Sequence, residues 1–397
     1  MVLVSQATDI ILKNLYTAKT NAIPLEMCIG HVLGEHIYAD RDFPPFDRVS
    51  MDGIAIAFAA LESGQRSFSI EGIQPAGVAQ HNLSNPKNCF EVMTGSILPK
   101  GTDTVIRYED IKIELGVATI LIDTITQGQN IHRRGTDIVE GGQILYEPCI
   151  LSAAEVAVLA SVGKSNVICK KFPAIAIIAT GDELVAVDQI PQAHQIRSSN
   201  SLALQASLRA MNIPAATFHI QDDQTQIEQE LRKLFTEFDV LIISGGVSKG
   251  KFDFIPDALA NLGIKKKFHG VQQRPGKPFW FGVGNGKTVF ALPGNPVSTY
   301  MCFYRFIKPW LFKSMGIVET PLTAILKSDF TFAPPLTHFL QVQTIVDEGK
   351  LIAVPEGGKG SGDFANLSKV TGFLELPEDR SDFSAGEVFP YFPFRPF

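Results

Sequence analysis

The stretch FDVLIISGGVSKGKFDF, residues 238–254, carries the reading of the fold. An apolar run of strand length, DVLIIS, empties directly into a glycine-rich loop, and the helix-like segment FIPDALANLG follows. Strand, glycine loop and helix in that order make the repeating unit of a parallel α/β sheet. The loop also matches the phosphate-loop pattern G-x-x-x-x-G-K through Gly245, Gly250 and Lys251. The next position should carry a magnesium-binding hydroxyl, and here it is Phe252. The reading is an anion site of a kind other than a triphosphate loop.

Working outward, the same alternation repeats on both sides. PAIAIIAT, AATFHIQ, KKFHGVQ and TVFALPG read as further strands. SNSLALQASLRAMN, DQTQIEQELRKLFTEF and PVSTYMCFYRFIKPWL read as helices. Residues 172–317 are therefore expected to form a doubly wound, mostly parallel α/β domain. Ahead of it, residues 1–48 and 141–171 are expected to form an elongated N-terminal domain, part helical and part extended. Its signals are an amphipathic helix in ATDIILKNLYTA, a second helix-like stretch and the turn DFPPFDR. Residues 49–140 read mainly as β, with strands in RSFSIEGI, DTVIRYEDIKI and VATILIDTI, and are expected as an inserted domain. In LSAAEVAVLASVG, Ser152 and Glu155 make a capping box and Gly163 closes a helix that should return to the N-terminal helices. Residues 318–397 regain β character, in LTAILKSDFTF, HFLQVQTIV, LIAVPEG and GFLELPE, as a small C-terminal domain.

Composition narrows the function classes. The 397 residues are 45% hydrophobic and 19% charged, which supports several packed cores and not a disordered chain. The formal net charge is −6, and no basic stripe offsets it, which argues against a nucleic-acid partner. The start of the chain carries Asp9 where a secretory leader needs an apolar core, and no uncharged run is long enough to span a bilayer. The five Cys are scattered without C-x-x-C spacing, so neither a disulfide framework nor a zinc site is indicated. These features suit a reducing cytoplasm, and any metal is expected to be a hard cation held by oxygen.

In an open α/β sheet, ligands bind outside the carboxyl ends of the strands. The loops leaving those strands are TGDEL with Thr180, Asp182 and Glu183; QDDQ with Asp222 and Asp223; SGGVSKGKFD; QQRPGKP with Arg274 and Lys277; and LPGNPVS with Pro293, Asn295, Pro296 and Ser298. Each has a plain alternative. Asp223 and Asp253 suit helix caps, and Asn295 followed by Pro296 is a cap with a first-turn proline. Together, carboxylates from three strand ends and cations from a fourth favour a site for a phosphate-bearing small molecule with Mg²⁺. A second polar set, Asp52, Thr94, Arg133, Arg134 and Asp137, falls in the β segment at Gly-containing turns, and reads equally well as turns or as function.

The segments FPPFDRVSMDGIAI, VMTGSILPKGTDTVIRYED, IHRRGTDIVEGGQIL, ATGDEL, SGGVSKGKFDF, RPGKPFWFG and LPGNPVSTY stand in the order and spacing of the MoeA family, the molybdopterin molybdenumtransferases. The chain is also similar to the E domain of gephyrin. The related adenylyltransferases share only the α/β domain and usually carry GGTG where this chain has GGVS. The resemblance covers about the whole chain. It implies a four-domain homodimer with an active cleft shared between subunits, and insertion of molybdate into adenylylated molybdopterin with Mg²⁺, releasing AMP. An upstream molybdopterin adenylyltransferase would be a partner.

The resemblance places the functional acidic positions on Asp52, Asp137, Glu183, Asp222 or Asp223, and Asp253, with Thr94 in the MTG motif and Pro293 and Pro296 in PGNP. It implies that Gly245, Gly246, Val247 and Ser248 cradle a phosphate, and that Asp253 and Glu183 hold Mg²⁺. Arg274 and Lys277 would supply fixed positive charge, and Asn295, Ser298 and Arg133 substrate contacts. Asp52 and Asp137 would come from the partner subunit. Lys359, Ser361 and Ser368 would receive molybdate. The chain departs from the pattern at Gly270, where many relatives carry Lys, and the missing cation would come from Lys267 or His269.

Overall fold

The computed structural model describes residues 1–247, 254–358, 360 and 362–395. Six strands form the central sheet, in the order Ala215–Ile220, Ile175–Thr180, Val240–Ser244, Lys287–Leu292, Trp280–Gly284, Lys265–His269. The first four run parallel, and the last two join antiparallel. The parallel strands Ile175–Thr180 and Val240–Ser244 are buried at every position, which is why they read as unbroken apolar runs. Strand Trp280–Gly284 was not expected; its sequence follows PGKP directly and looked like more of that loop.

From Ile175–Thr180 the chain moves to one side to build Ala215–Ile220 and to the other to build Val240–Ser244. The strand order reverses there, so a crevice opens at the carboxyl ends of these strands. Helices Asn200–Arg209, Gln224–Glu237 and Ile255–Asn261 fall where expected. The expected single helix after LPGNP is instead Pro296–Cys302, a π-helical turn Phe303–Ile307, and Lys308–Ser314. Pro309 has no N–H for the Arg305 carbonyl, so a regular α ladder cannot continue through it.

The chain before the sheet folds back on itself. Strand Asn166–Lys171 pairs with Lys19–Pro24 and Val32–Leu33, and Gln143–Leu145 pairs with Ile37–Tyr38. The second helix-like stretch of residues 1–48 is no α-helix; it contributes the 3₁₀ turn Leu25–Met27 and two short strands. Gly30, at φ 78°, breaks it. Helix Ala153–Ser161 has the full Ser152–Glu155 capping box, and its Leu159 joins a core of Cys28, Leu33, Leu151 and Cys169. The first helix, Val4–Leu12, lies elsewhere: Val4, Ala7 and Ile11 enter the core of Trp310, Leu311 and Met315 beside the α/β sheet. Between these segments, six strands within residues 53–120 form a second sheet.

The C-terminal strands close into a ring: Thr337–Asp347, Lys350–Pro355, Leu322–Leu326, Val388–Pro393 and Gly372–Leu376, the last returning to the first. The short strand Gln273–Arg274 from the α/β region adds to this barrel, pairing in parallel with Thr337–His338.

One side chain ties three of these parts together. Arg305 of the π turn bonds Glu375 of the barrel at 2.6 Å and Thr8 of the first helix at 3.1 Å. Its guanidinium also lies over Phe306 and Phe392, with ring centroids 5.0 and 4.9 Å away. The pair is 13% and 19% exposed, so deleting one partner strands a desolvated charge. Arg305→Met is expected to cost about 3 kcal/mol, read as a shift in the denaturant midpoint. An unchanged midpoint would show that the pair contributes nothing to holding the parts together.

Candidate active site

All five loops expected to meet do so at the strand-order reversal, QQRPGKP through Pro278. Thr180, Gly181, Glu183, Asp222, Gly245, Gly246, Val247, Pro293, Asn295 and Pro296 line one cavity of about 1080 Å³. Its floor needs glycine. Gly245 has φ 102°, and a Cβ there would sit 2.7 Å from the Thr180 carbonyl; Gly246 has φ 63°, and its Cβ would meet Ile255 at 2.8 Å. The backbone can therefore approach Thr180 closely and remain open to a ligand. The Gly245 amide donates to the Leu292 carbonyl at 3.1 Å, so it is not the phosphate donor expected of it. Thr180 is buried, and its hydroxyl has no partner among the described residues.

Asn200 and His219, both outside the expected set, and His269 hold these loops. Asn200 donates to the Ser244 hydroxyl at 2.9 Å and the Gly294 carbonyl at 2.7 Å, tying one strand end to the PGNP loop. His219 meets the Gly181 carbonyl at 3.0 Å and His269 the Val247 carbonyl at 2.9 Å, each ring donating its Nε2–H. Reading only the loops that leave strands missed Asn200, which opens a helix after the long excursion 181–199. Its signal was the polar run SSN ahead of that helix.

The carboxylates separate by role. Asp223 accepts from the Gln226 amide at 2.8 Å and caps helix Gln224–Glu237. Asp222 lines the cavity, its amide bonded to Asp182 at 3.1 Å. Glu183 is exposed, its carboxylate folded against Gly181. Two acidic residues thus line one cavity, a residue type that suits Mg²⁺ completed by ligand phosphate oxygens. Among the described residues no group of three or more His, Cys, Asp or Glu is placed to hold a metal alone. Ser248, Lys251, Asp253, Lys359 and Ser361 lie outside the described residues.

A second compartment of about 910 Å³ adjoins the first, sharing Pro278, Pro293 and Asn295. Arg274, Lys277 and Ser298 line it from the α/β side, and Phe332, His338 and Glu356 from the barrel. Gln273 in its wall is fully buried with an Oε1 that has no partner among the described residues. Among the described residues each compartment therefore carries one buried polar atom without a partner, a condition that a ligand can relieve. Neither Lys267 nor His269 lines either compartment, so neither replaces the missing cation. Gly270, at φ 90°, instead leaves room for the N-terminus: a Cβ there would strike Met1 at 2.9 Å, and its carbonyl accepts from Val2.

The remaining expected residues lie apart. Asp52 accepts from the Thr94 amide at 2.6 Å and its hydroxyl at 2.7 Å, and these bonds, the amide first, hold its carboxyl below the usual range. Asp137 pairs with His132 at 2.8 Å and Arg133 with Asp47 at 2.6 Å. None of Asp52, Thr94, Arg133 or Asp137 lines either compartment of its own chain. Ser368 is also outside both, and its hydroxyl donates to the Ala365 carbonyl.

This architecture has counterparts. Three family models match: the MoeA N-terminal region (domain I and II) over residues 2–163, a probable molybdopterin binding domain over 176–313, and the MoeA C-terminal region (domain IV) over 323–394. A molybdopterin molybdenumtransferase of Synechocystis is 39% identical, covering 99% of this chain and 100% of that one. Another from Staphylococcus epidermidis is 29% identical over 97% and 94% of the two chains. The crystal structure of a molybdopterin biosynthesis MoeA protein from Pyrococcus horikosii superposes with a TM-score of 0.86 at 28% identity, covering 100% of both chains. With the likeness running from end to end, the chain belongs to the MoeA family.

Proposed function

We propose that this chain is an enzyme of molybdenum cofactor biosynthesis, a molybdopterin molybdenumtransferase. In this reading it inserts molybdate into adenylylated molybdopterin and releases AMP. The observation that carries it is the pair of adjoining compartments at the strand-order reversal, one walled by glycine backbone and carboxylates and the other by two cations. The first suits the nucleotide phosphate and the second the oxyanion.

Roles follow from the chemistry of each wall. Gly246 and Val247, with Ser248 beyond them, bring backbone against the phosphate, and the Thr180 hydroxyl donates to it. Glu183 and Asp222, with Asp253, would hold Mg²⁺, which supplies charge neutralisation on the phosphate that leaves with AMP. Arg274 and Lys277 provide fixed positive charge for molybdate, Arg274 through a planar fork able to engage two oxygens at once. Asn295 stands at the junction of the compartments, and Ser298 lines the second.

Asp52, Thr94, Arg133 and Asp137 act in this reading from a second copy of the chain, in a homodimer. Their absence from either compartment of their own chain supports that arrangement. The working division is a domain of residues 1–48 with 141–171, an inserted domain 49–140, an α/β domain 172–317 and a C-terminal domain 318–397.

Molybdate-dependent release of AMP from adenylylated molybdopterin is the direct assay. Glu183→Ala and Asp253→Ala are each expected to slow it at least about 100-fold; release at the wild-type rate by both would refute the metal assignment. ATP turnover without pterin would refute the insertase itself. Gly245→Ala, which forces an unfavourable φ and a clash with Thr180, is expected to cost about tenfold or more in rate with the chain still folded by circular dichroism. For the shared cleft, inactive Asp137→Asn and inactive Glu183→Ala chains are mixed and allowed to exchange subunits. Recovery of about a quarter of wild-type activity is expected, since half the dimers then hold one intact site. No recovery despite proven exchange means that each site is built from one chain.

A further inference from the structure

The cation Arg274 stands on a loop of the α/β region, yet its position is set by the barrel. Residues Gln273–Arg274 pair in parallel with Thr337–His338, placing Arg274 directly across from His338. The His338 ring donates its Nδ1–H to the Arg274 carbonyl at 3.2 Å. The same ring stacks between two others: Phe332 at 4.1 Å with planes 13° apart, and Phe330 at 5.6 Å with planes 2° apart. The Arg274 guanidinium then lies over Phe332, 5.8 Å from its centroid. Phe330, His338, Phe332 and Arg274 thus form a continuous pile along the wall of the second compartment.

We propose that His338 is a positioning residue for Arg274, holding its backbone by a hydrogen bond and its guanidinium through the stacked Phe332, so that the cation faces an oxyanion in the compartment. The proposal rests on the reading of this compartment as the molybdate site. A second requirement is that the brace carry no charge of its own. Burial pushes the His338 pKa down to about 4 and the Arg274 charge adds to this, against the opposing effect of the carbonyl bond. The ring is therefore neutral at neutral pH. It keeps Nδ1–H for the carbonyl and adds no repulsion beside Arg274. A purely structural ring in the barrel wall would need the stack alone; the bond to the carbonyl across the interface is what ties the ring to the cation.

The test separates the bond from the stack in the full chain. His338→Phe keeps the pile and removes the ring N–H, His338→Asn keeps a donor near the Nδ1 position and removes the ring, and Arg274→Ala removes the cation. Binding of molybdate alone is followed by calorimetry, and KM for molybdate and kcat are taken from AMP release. His338→Phe is expected to raise KM for molybdate and weaken calorimetric binding about 3- to 10-fold, the range of one hydrogen bond, with kcat within about twofold. His338→Asn should lie closer to wild type. Adding His338→Phe to Arg274→Ala should cost nothing further, because the brace has nothing left to position. If the two losses multiply, or His338→Phe binds molybdate as wild type while Arg274→Ala does not, His338 is only part of the wall. If Arg274→Ala itself leaves molybdate binding and KM unchanged, the compartment is not the oxyanion site, and both the proposal and that part of the functional reading fail.

Discussion

One largely buried cation, Arg305, joins three parts of this molecule. It comes from the one turn of its helix that is not α-helical, and it bonds the barrel through Glu375 and the first helix through Thr8. Because both charges are largely out of water, either one alone would be costly, so the barrel and the first helix are held in one arrangement with the sheet. The second compartment lies between sheet and barrel, and its width depends on that arrangement. A second junction, the strand Gln273–Arg274 paired to the barrel, sits beside the compartment itself. One lock is remote from the chemistry and one is next to it.

The cleft follows from topology. The strands on either side of the order reversal send their loops the same way, and the glycines at 245 and 246 let one loop come within contact of the other. Asn200, His219 and His269 then fix those loops through their backbones. The loops that would touch a ligand are thereby anchored by three side chains, of which Asn200 also lines the cavity.

Much of this was legible in the chain. Buried parallel strands are continuous apolar runs, so the central strands can be read directly, and the loops after them hold Glu183, Asp222, Gly246, Arg274 and Asn295. Asp222 and Asp223 could not be told apart, since a cap and a ligand group look alike until the helix start is seen. Strand Trp280–Gly284 was hidden behind PGKP. The packing of Val4–Leu12 beside Trp310, the Arg305–Glu375 pair and the His338 brace join segments far apart in the chain, and side-chain patterning within a segment says nothing about such partners. Nor does the chain show what Asp52 and Asp137 do, because neither lines either compartment.

The buried hydroxyl of Thr180 has a thermodynamic meaning. A desolvated donor that finds no acceptor costs roughly 1–3 kcal/mol, and among the described residues none accepts from Thr180. Valine would keep the shape of Thr180 and remove the penalty, giving a sturdier but less responsive protein. In the proposed reading, threonine at this position gives up some resting stability that ligand capture would restore. Occupancy of the cleft and resistance to heat would then be linked quantities.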